Sequence, residues 1–264
     1  MKSSCSPLPG TPGIKTTWDR AVARIEFDLA QPKNSFRAAD VGQLEAALDQ
    51  ARAGNARCVV LRGARGTFSA GWDVTSINPE DDDPMAMIAE LVAPFCHKLR
   101  TLPVPTISAV AGVALGFGLG LALCCDICVV NEDARLGSPF RNIGMVPDTA
   151  THYFFLSRLG QAKAAELVYT GRLISGAEAA QIGLVNRATE AGSVDAVVDE
   201  LALSIAEGPT AAFSLSKEIL LAGGDFNEIV AHEGRQLQRV FETADLKEGI
   251  RAFQQPRAPK FEGR

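Results

Sequence analysis

The chain has 264 residues, 47% of them apolar and 22% charged, with a formal charge of −5 at pH 7. That length supports one large domain or one domain with a small appendage. The acidic balance leaves no basic field for nucleic acid. Residues 1–15 hold Pro, Ser, Gly and Thr without an apolar run, so they read as a loose tail and not a signal peptide, which points to the cytoplasm. Six cysteines (Cys5, Cys58, Cys96, Cys124, Cys125, Cys128) read as core thiols of a reducing compartment. Cys125-Asp-Ile-Cys128 spells C-x-x-C, but it lies in an apolar strand with no second pair, so it predicts neither zinc nor redox chemistry.

Alternation over residues 16–28 predicts a β-hairpin with Asp19-Arg20 at its turn. A loop over 31–35 leads to a helix over 36–53, stopped by Gly54-Asn55. Residues 57–63 form a buried strand, followed by the small-residue loop Thr67-Phe-Ser-Ala-Gly-Trp-Asp73. Residues 79–84 read as an acidic surface loop, and 85–102 as a helix ended by Pro103 and Pro105. After the glycine-rich stretch at 106–130 come a short strand and turn at 134–140 and the segment Gly144-Met-Val-Pro-Asp-Thr-Ala150. Helices are expected over 149–159 and 161–170. Ser175-Gly-Ala-Glu178 reads as a capping box into a helix ending at Gly183, and 184–187 as a strand. From 193 onward the pattern is helical only: 193–207, 210–221, 227–242 and 245–253. Strand–helix alternation followed by helices predicts an α/β core over 16–192 carrying a helical oligomerisation region over 193–264.

The chain is organised around residues 106–130. A strand-like run, Thr106 to Val110, meets a glycine cluster (Gly112, Gly116, Gly118, Gly120), a small-residue helix and another apolar strand from Asp126. Glycines between a buried strand and a helix start let backbone approach a ligand. The first helical turn also offers unpaired N–H groups suited to a developing oxyanion. Asp126 and the four glycines argue against a membrane span.

Phe68-Ser-Ala-Gly-Trp-Asp73, Ala109-Val-Ala-Gly-Val-Ala-Leu-Gly-Phe-Gly118, Cys125-Asp126, Gly160, Ala179-Ala-Gln-Ile-Gly-Leu-Val-Asn186 and Glu248-Gly-Ile-Arg-Ala-Phe253 follow one another in an order that resembles the crotonase superfamily, the enoyl-CoA hydratase/isomerase family. The resemblance runs from about Thr16 to Phe261. It implies a spiral of ββα units, a helical trimerisation region, a homotrimer or dimer of trimers, and an acyl-CoA thioester as partner. No metal or further cofactor is implied, since CoA arrives with the substrate.

By the same resemblance, the amides of Ala70 and Phe117 are the oxyanion hole, and fixed amides of this kind are worth about 3 kcal/mol each to an oxyanion. The two hydratase glutamates are absent: Gly120 and Phe140 stand at their positions, and neither accepts a proton. Asp148 is the remaining carboxylate, matching a catalytic aspartate of dienoyl-CoA isomerases and aryl-CoA dehalogenases of the superfamily. It has two readings, a proton-transferring or ester-forming catalyst and an N-cap for helix 149–159. A histidine expected before Pro103 for the dehalogenase is replaced by Ala93. His152 is placed as an auxiliary group one turn from Asp148. Trp72, Phe140, Gly116 and Gly120 are expected at the acyl pocket, and Lys33, Arg62, Lys260 and Phe261 at CoA. The predicted function is isomerase-type proton transfer, with acyl-CoA binding without turnover and Asp148-ester hydrolysis as alternatives.

Overall fold

A computed structural model describes residues 12–264. The expected loose tail lies outside the described residues as far as residue 11, and its last part is already strand, because β1 spans Gly13–Asp19. β1 pairs antiparallel with β2 (Val22–Asp28), in a register that sets Asp19 opposite Val22. The turn is therefore Arg20-Ala21, one residue later than expected, with Arg20 at φ 52°. Alternation on an edge strand fixes which faces pair and leaves the turn position open.

β2, β3 (Cys58–Gly63), β4 (Thr106–Val110), β6 (Ile127–Asn131) and β9 (Arg187–Thr189) continue the sheet in parallel. Near-continuous apolar runs such as Cys-Val-Val-Leu fit strands covered on both faces. A smaller sheet holds β5 (Val113–Leu115), β7 (Arg135–Gly137) and β8 (Ile174–Ser175). Each pass of the chain leaves one strand in the large sheet and one in the small: β4 then β5, β6 then β7. Single bridges at Ser69–Ala114 and Phe36–Trp72 extend that second layer toward the N-terminal passes. This is the expected ββα spiral.

Helix α1 (Ala38–Ala53) follows the hairpin. The expected helix over 85–102 is wound in three parts: α2 (Pro84–Ala86), a π-helical stretch at Met87–Val92, and α3 (Ala93–Arg100). α4 (Phe117–Cys124) is wholly buried. α5 (Thr151–Thr170) joins two expected helices through Gly160, whose φ of 74° and ψ of 167° break the winding. α6 (Gly176–Gln181) leads to β9, which begins three residues after the expected strand start.

The core divides by sheet face. Phe27, Phe36, Phe68 and Phe117 anchor one side with α1, α3, α4 and α5. On the other side α7 (Val194–Ala206) presses Val194, Val198 and Ala202 against Val22, Val60, Ile107 and Val129. α7, the first helix of the region expected from 193 onward, thus covers the sheet.

The remaining helices are α8 (Thr210–Ala222), α9 (Phe226–Val240) and α10 (Ala244–Gln254). α8 is pinned to the core by Lys217, whose Nζ donates to Asp126 Oδ2 at 2.8 Å and to the Val104 carbonyl at 3.2 Å. Asp126 also accepts from the Thr106 amide and hydroxyl. Among the described residues no helix is long and apolar enough to cross a membrane, and no group of three or more His, Cys, Asp or Glu could hold a metal ion.

Candidate active site

The small sheet brings the two glycine loops together. Ser69 N–H donates to the Val113 carbonyl at 2.8 Å and Leu115 N–H to the Ser69 carbonyl at 3.0 Å, so the 67–73 loop lies beside β5. After β5 the chain passes through Gly116, at φ 50° and ψ −118°, straight into α4. Only glycine adopts that backbone without strain, and a Cβ there would stand 3.1 Å from the Phe140 ring. Because the N-cap is glycine, no side chain caps α4. The amides of Phe117, Gly118 and Leu119 have no intrahelical acceptor, and the ladder starts with Gly120 N–H donating to the Gly116 carbonyl at 3.0 Å. A buried helix start with free donors and a positive dipole end is a receptor for a partial negative charge.

Beside this start lies a cavity of about 230 Å³ lined by Ala70, Trp72, Leu115, Gly116, Phe140 and Asp148. Val74, Ile77, Met87, Asn142, Ile143 and Met145 also line it, with Gly71 and Pro139. Asp148 is its one ionisable side chain. Burial raises the Asp148 pKa above the usual carboxylate value, and a hydrogen bond from Thr149 opposes that rise. The bond runs from Thr149 Oγ1 to Asp148 Oδ1 at 2.9 Å. The helix-cap reading does not hold for the side chain: α5 begins at Thr151, its N-cap is Ala150, and no side chain caps it. Only the Asp148 backbone carbonyl meets that helix, accepting from Thr151 N–H at 2.9 Å.

Other expected residues divide sharply. Trp72, Phe140 and Gly116 line the cavity. Phe117 does not fill it: the ring is 1% exposed and packs between Phe36 and Trp72, at centroid distances of 5.1 and 5.6 Å. Its side chain is core, and its amide is what α4 presents. Gly120 is buried away from the cavity, and a Cβ there would meet the Thr149 carbonyl oxygen at 2.3 Å. His152 is exposed on α5, does not line the cavity and makes no hydrogen bond to Asp148, so the auxiliary role has no geometric support.

Ala70 lines the cavity, but its N–H donates to the Lys33 carbonyl at 2.9 Å. Lys33 thus reaches the site through its backbone, and its exposed side chain does not line the cavity. Neighbouring Asn34 is fully buried and holds the turn: its Oδ1 accepts from Leu29 N–H at 3.0 Å, and its Nδ2 donates to the Ala64 and Thr67 carbonyls. Arg62 is paired with Glu26 at 3.0 Å on the sheet. Lys260 lies with Glu248 and Arg257 on the C-terminal segment, and Phe261 lines a separate groove with Ile250 and Phe253. Neither lines the cavity within one chain.

Sequence reasoning missed Met87, Ile143 and Met145 on the cavity wall. Met87 opens the π-helical stretch, a winding enriched at functional sites, but nothing in its local pattern announces it. Two sheet thiols, Cys58 and Cys128, are held protonated. Burial raises the pKa of Cys58 to about 12 and that of Cys128 to about 11.

The profile of one family, enoyl-CoA hydratase/isomerase, matches residues 17–264. The chain belongs to the enoyl-CoA hydratase/isomerase family. YhaR of Bacillus subtilis (strain 168), whose name carries that family, is 33% identical over 245 residues, covering 92% of this chain and 96% of YhaR. The trans-2-decenoyl-(acyl-carrier-protein) isomerase of Streptococcus mutans serotype c is 26% identical over 255 residues, covering 93% and 96% of the two chains. Among solved structures, an enoyl-CoA hydratase of Geobacillus kaustophilus superposes with a TM-score of 0.88 at 31% identity, covering 96% of this chain and 98% of that one. The ββα spiral is therefore the crotonase fold. The enoyl-CoA hydratase/isomerase family is a family of enzymes acting on acyl-CoA thioesters.

Proposed function

We propose that this protein is an enoyl- or dienoyl-CoA isomerase in which Asp148 moves the proton and the α4 amides receive the thioester oxygen. One observation carries the reading: among the described residues Asp148 is the only ionisable side chain on the cavity wall, and it does not cap its helix. The ionised carboxylate takes a proton from a carbon acidified by the thioester, and the electron pair moves onto the thioester oxygen as a dienolate. The protonated carboxyl then returns the proton at another carbon, shifting the double bond with no net change in atoms. A carboxyl whose pKa is raised by burial suits both halves of that cycle. The absence of glutamate from the wall disfavours water addition by a carboxylate pair, and a relative named as an isomerase supports the class.

The acyl partner is proposed to be a CoA thioester with an apolar acyl group, because the wall offers no cation to a second charge. No cofactor beyond CoA is proposed. Exposed Leu220, Phe226 and Phe253 on the C-terminal helices support assembly as a trimer or dimer of trimers, and the low cationic charge and buried free thiols support a cytoplasmic setting.

A second reading, acyl-CoA binding without turnover, is favoured by the Ala70 amide, which already has the Lys33 carbonyl as acceptor. Incubating the protein and its Asp148→Asn variant with enoyl-, dienoyl- and aryl-CoA thioesters separates these readings. Isomerised product from wild type alone supports the proposal. Tight binding with no product from any thioester supports the second reading, and rapid hydration of crotonyl-CoA overturns both.

A further inference from the structure

The placement of Asp148 depends on the two residues after it. Thr149 and Ala150 both adopt left-handed backbone, at φ 51° and 59°. For a β-branched residue that conformation is a genuine outlier, sustained only where the surroundings impose it. It turns the chain so that α5 starts at Thr151 and the Asp148 side chain is left facing the cavity. α4 supplies the surroundings. Thr149 is 3% exposed, and its carbonyl, Cβ and Cγ2 occupy the space a side chain at Gly120 would need, at 2.3, 2.6 and 2.6 Å from an added Cβ. Its hydroxyl donates to Asp148 Oδ1 at 2.9 Å, and Oδ2 has no protein donor among the described residues.

We propose that Thr149 is the positioning residue of this site, its hydroxyl fixing one carboxylate oxygen while its left-handed backbone, seated on Gly120, leaves the other open to the cavity. This rests on Asp148 being the proton-transferring group. Thr149 itself does not line the cavity. The elements around the carboxyl add little competing charge. α3 presents the Cys96 thiol, on which Asp148 acts, and α4 presents Cys124 behind it. Arg141 of the 140–143 turn is engaged with the Thr170 carbonyl, and His152 of α5 is exposed. The hydroxyl is therefore the main group favouring the ionised form.

The test pairs a substrate-free titration with turnover of the thioester panel. The 13C carboxyl resonance of Asp148, assigned by its loss in Asp148→Asn, is titrated in wild type, Thr149→Val, Thr149→Gly and Thr149→Ser. Thr149→Gly keeps the left-handed turn without strain, so it reports on the hydroxyl even if the valine variant does not fold. Loss of the hydroxyl is expected to raise the midpoint by about one pH unit, and serine is expected to restore it. If Asp148→Asn abolishes turnover of the thioester panel but the glycine variant titrates as wild type, the Asp148 reading stands and the positioning role is overturned. If Asp148→Asn turns over normally, both fail.

Discussion

The Ala70 amide and the Lys33 carbonyl form a 2.9 Å hydrogen bond at the edge of the cavity that holds Asp148. Any thioester that uses both loops must displace that carbonyl, which the buried Asn34 network restrains. The Ala70 amide is thus expected to be protected from hydrogen exchange in the free protein. An unreactive acyl-CoA thioether should shift its NMR resonance and lower its protection. An unchanged Ala70 signal in the complex would assign oxyanion binding to α4 alone.

Asp148→Asn should lower isomerase turnover by roughly 10²–10⁴-fold, the range of a lost general base. Binding of an acyl-CoA, measured calorimetrically, should change little, because the substitution preserves shape and removes only proton transfer.

The same variant should be more stable than wild type at neutral pH. The native state raises the Asp148 pKa above its unfolded value, so it holds that proton more tightly than the unfolded chain does. Stability therefore falls as pH rises from the unfolded pKa through the folded one and stays lower above it. Asparagine removes the desolvated charge, and thermal melts should show the gain at pH 7 shrinking toward acid. Activity should run oppositely, falling in acid with a midpoint above the ordinary aspartate range.

Gly120→Glu should not create a hydratase. The site of its Cβ is filled by Thr149 backbone, so even Gly120→Ala is expected to cost about 1–3 kcal/mol as overpacking. The glutamate should melt lower and leave crotonyl-CoA unhydrated.

Lys217→Met should destabilise the protein by about 1–2 kcal/mol in denaturant titrations, since it removes the buried ammonium's bonds to the exposed Asp126 and the Val104 carbonyl. Equal loss of helical and near-ultraviolet signals would mark α8 and the sheet as one cooperative unit.

The positions of most strands were legible in the sequence, because apolar runs and glycine loops recur where buried strands pass into helices, while the spiral came from the family resemblance. It also located Trp72, Gly116, Phe140 and Asp148 on one cavity. It misplaced what depends on side-chain direction. Phe117 was legible as an amide, but whether its ring filled the pocket or the core follows from the tilt of α4 against Phe36 and Trp72. The bond between Ala70 and Lys33 joins loops 37 residues apart through backbone atoms, which residue types do not encode. The packing of α7 was hidden for a related reason: it has the amphipathic pattern of an oligomer helix, and only the sheet face it meets distinguishes the two.

The proposed transfer through Asp148 also predicts the fate of an isotope. In the proposed transfer one carboxyl, Asp148, removes and returns the hydrogen on a single face of the substrate, and the label is kept when return outpaces exchange with water. A substrate deuterated at the carbon that loses hydrogen should give product carrying that label at the new position, with little washed into solvent. Label found in solvent instead would show that water reaches the protonated carboxyl within a single turnover.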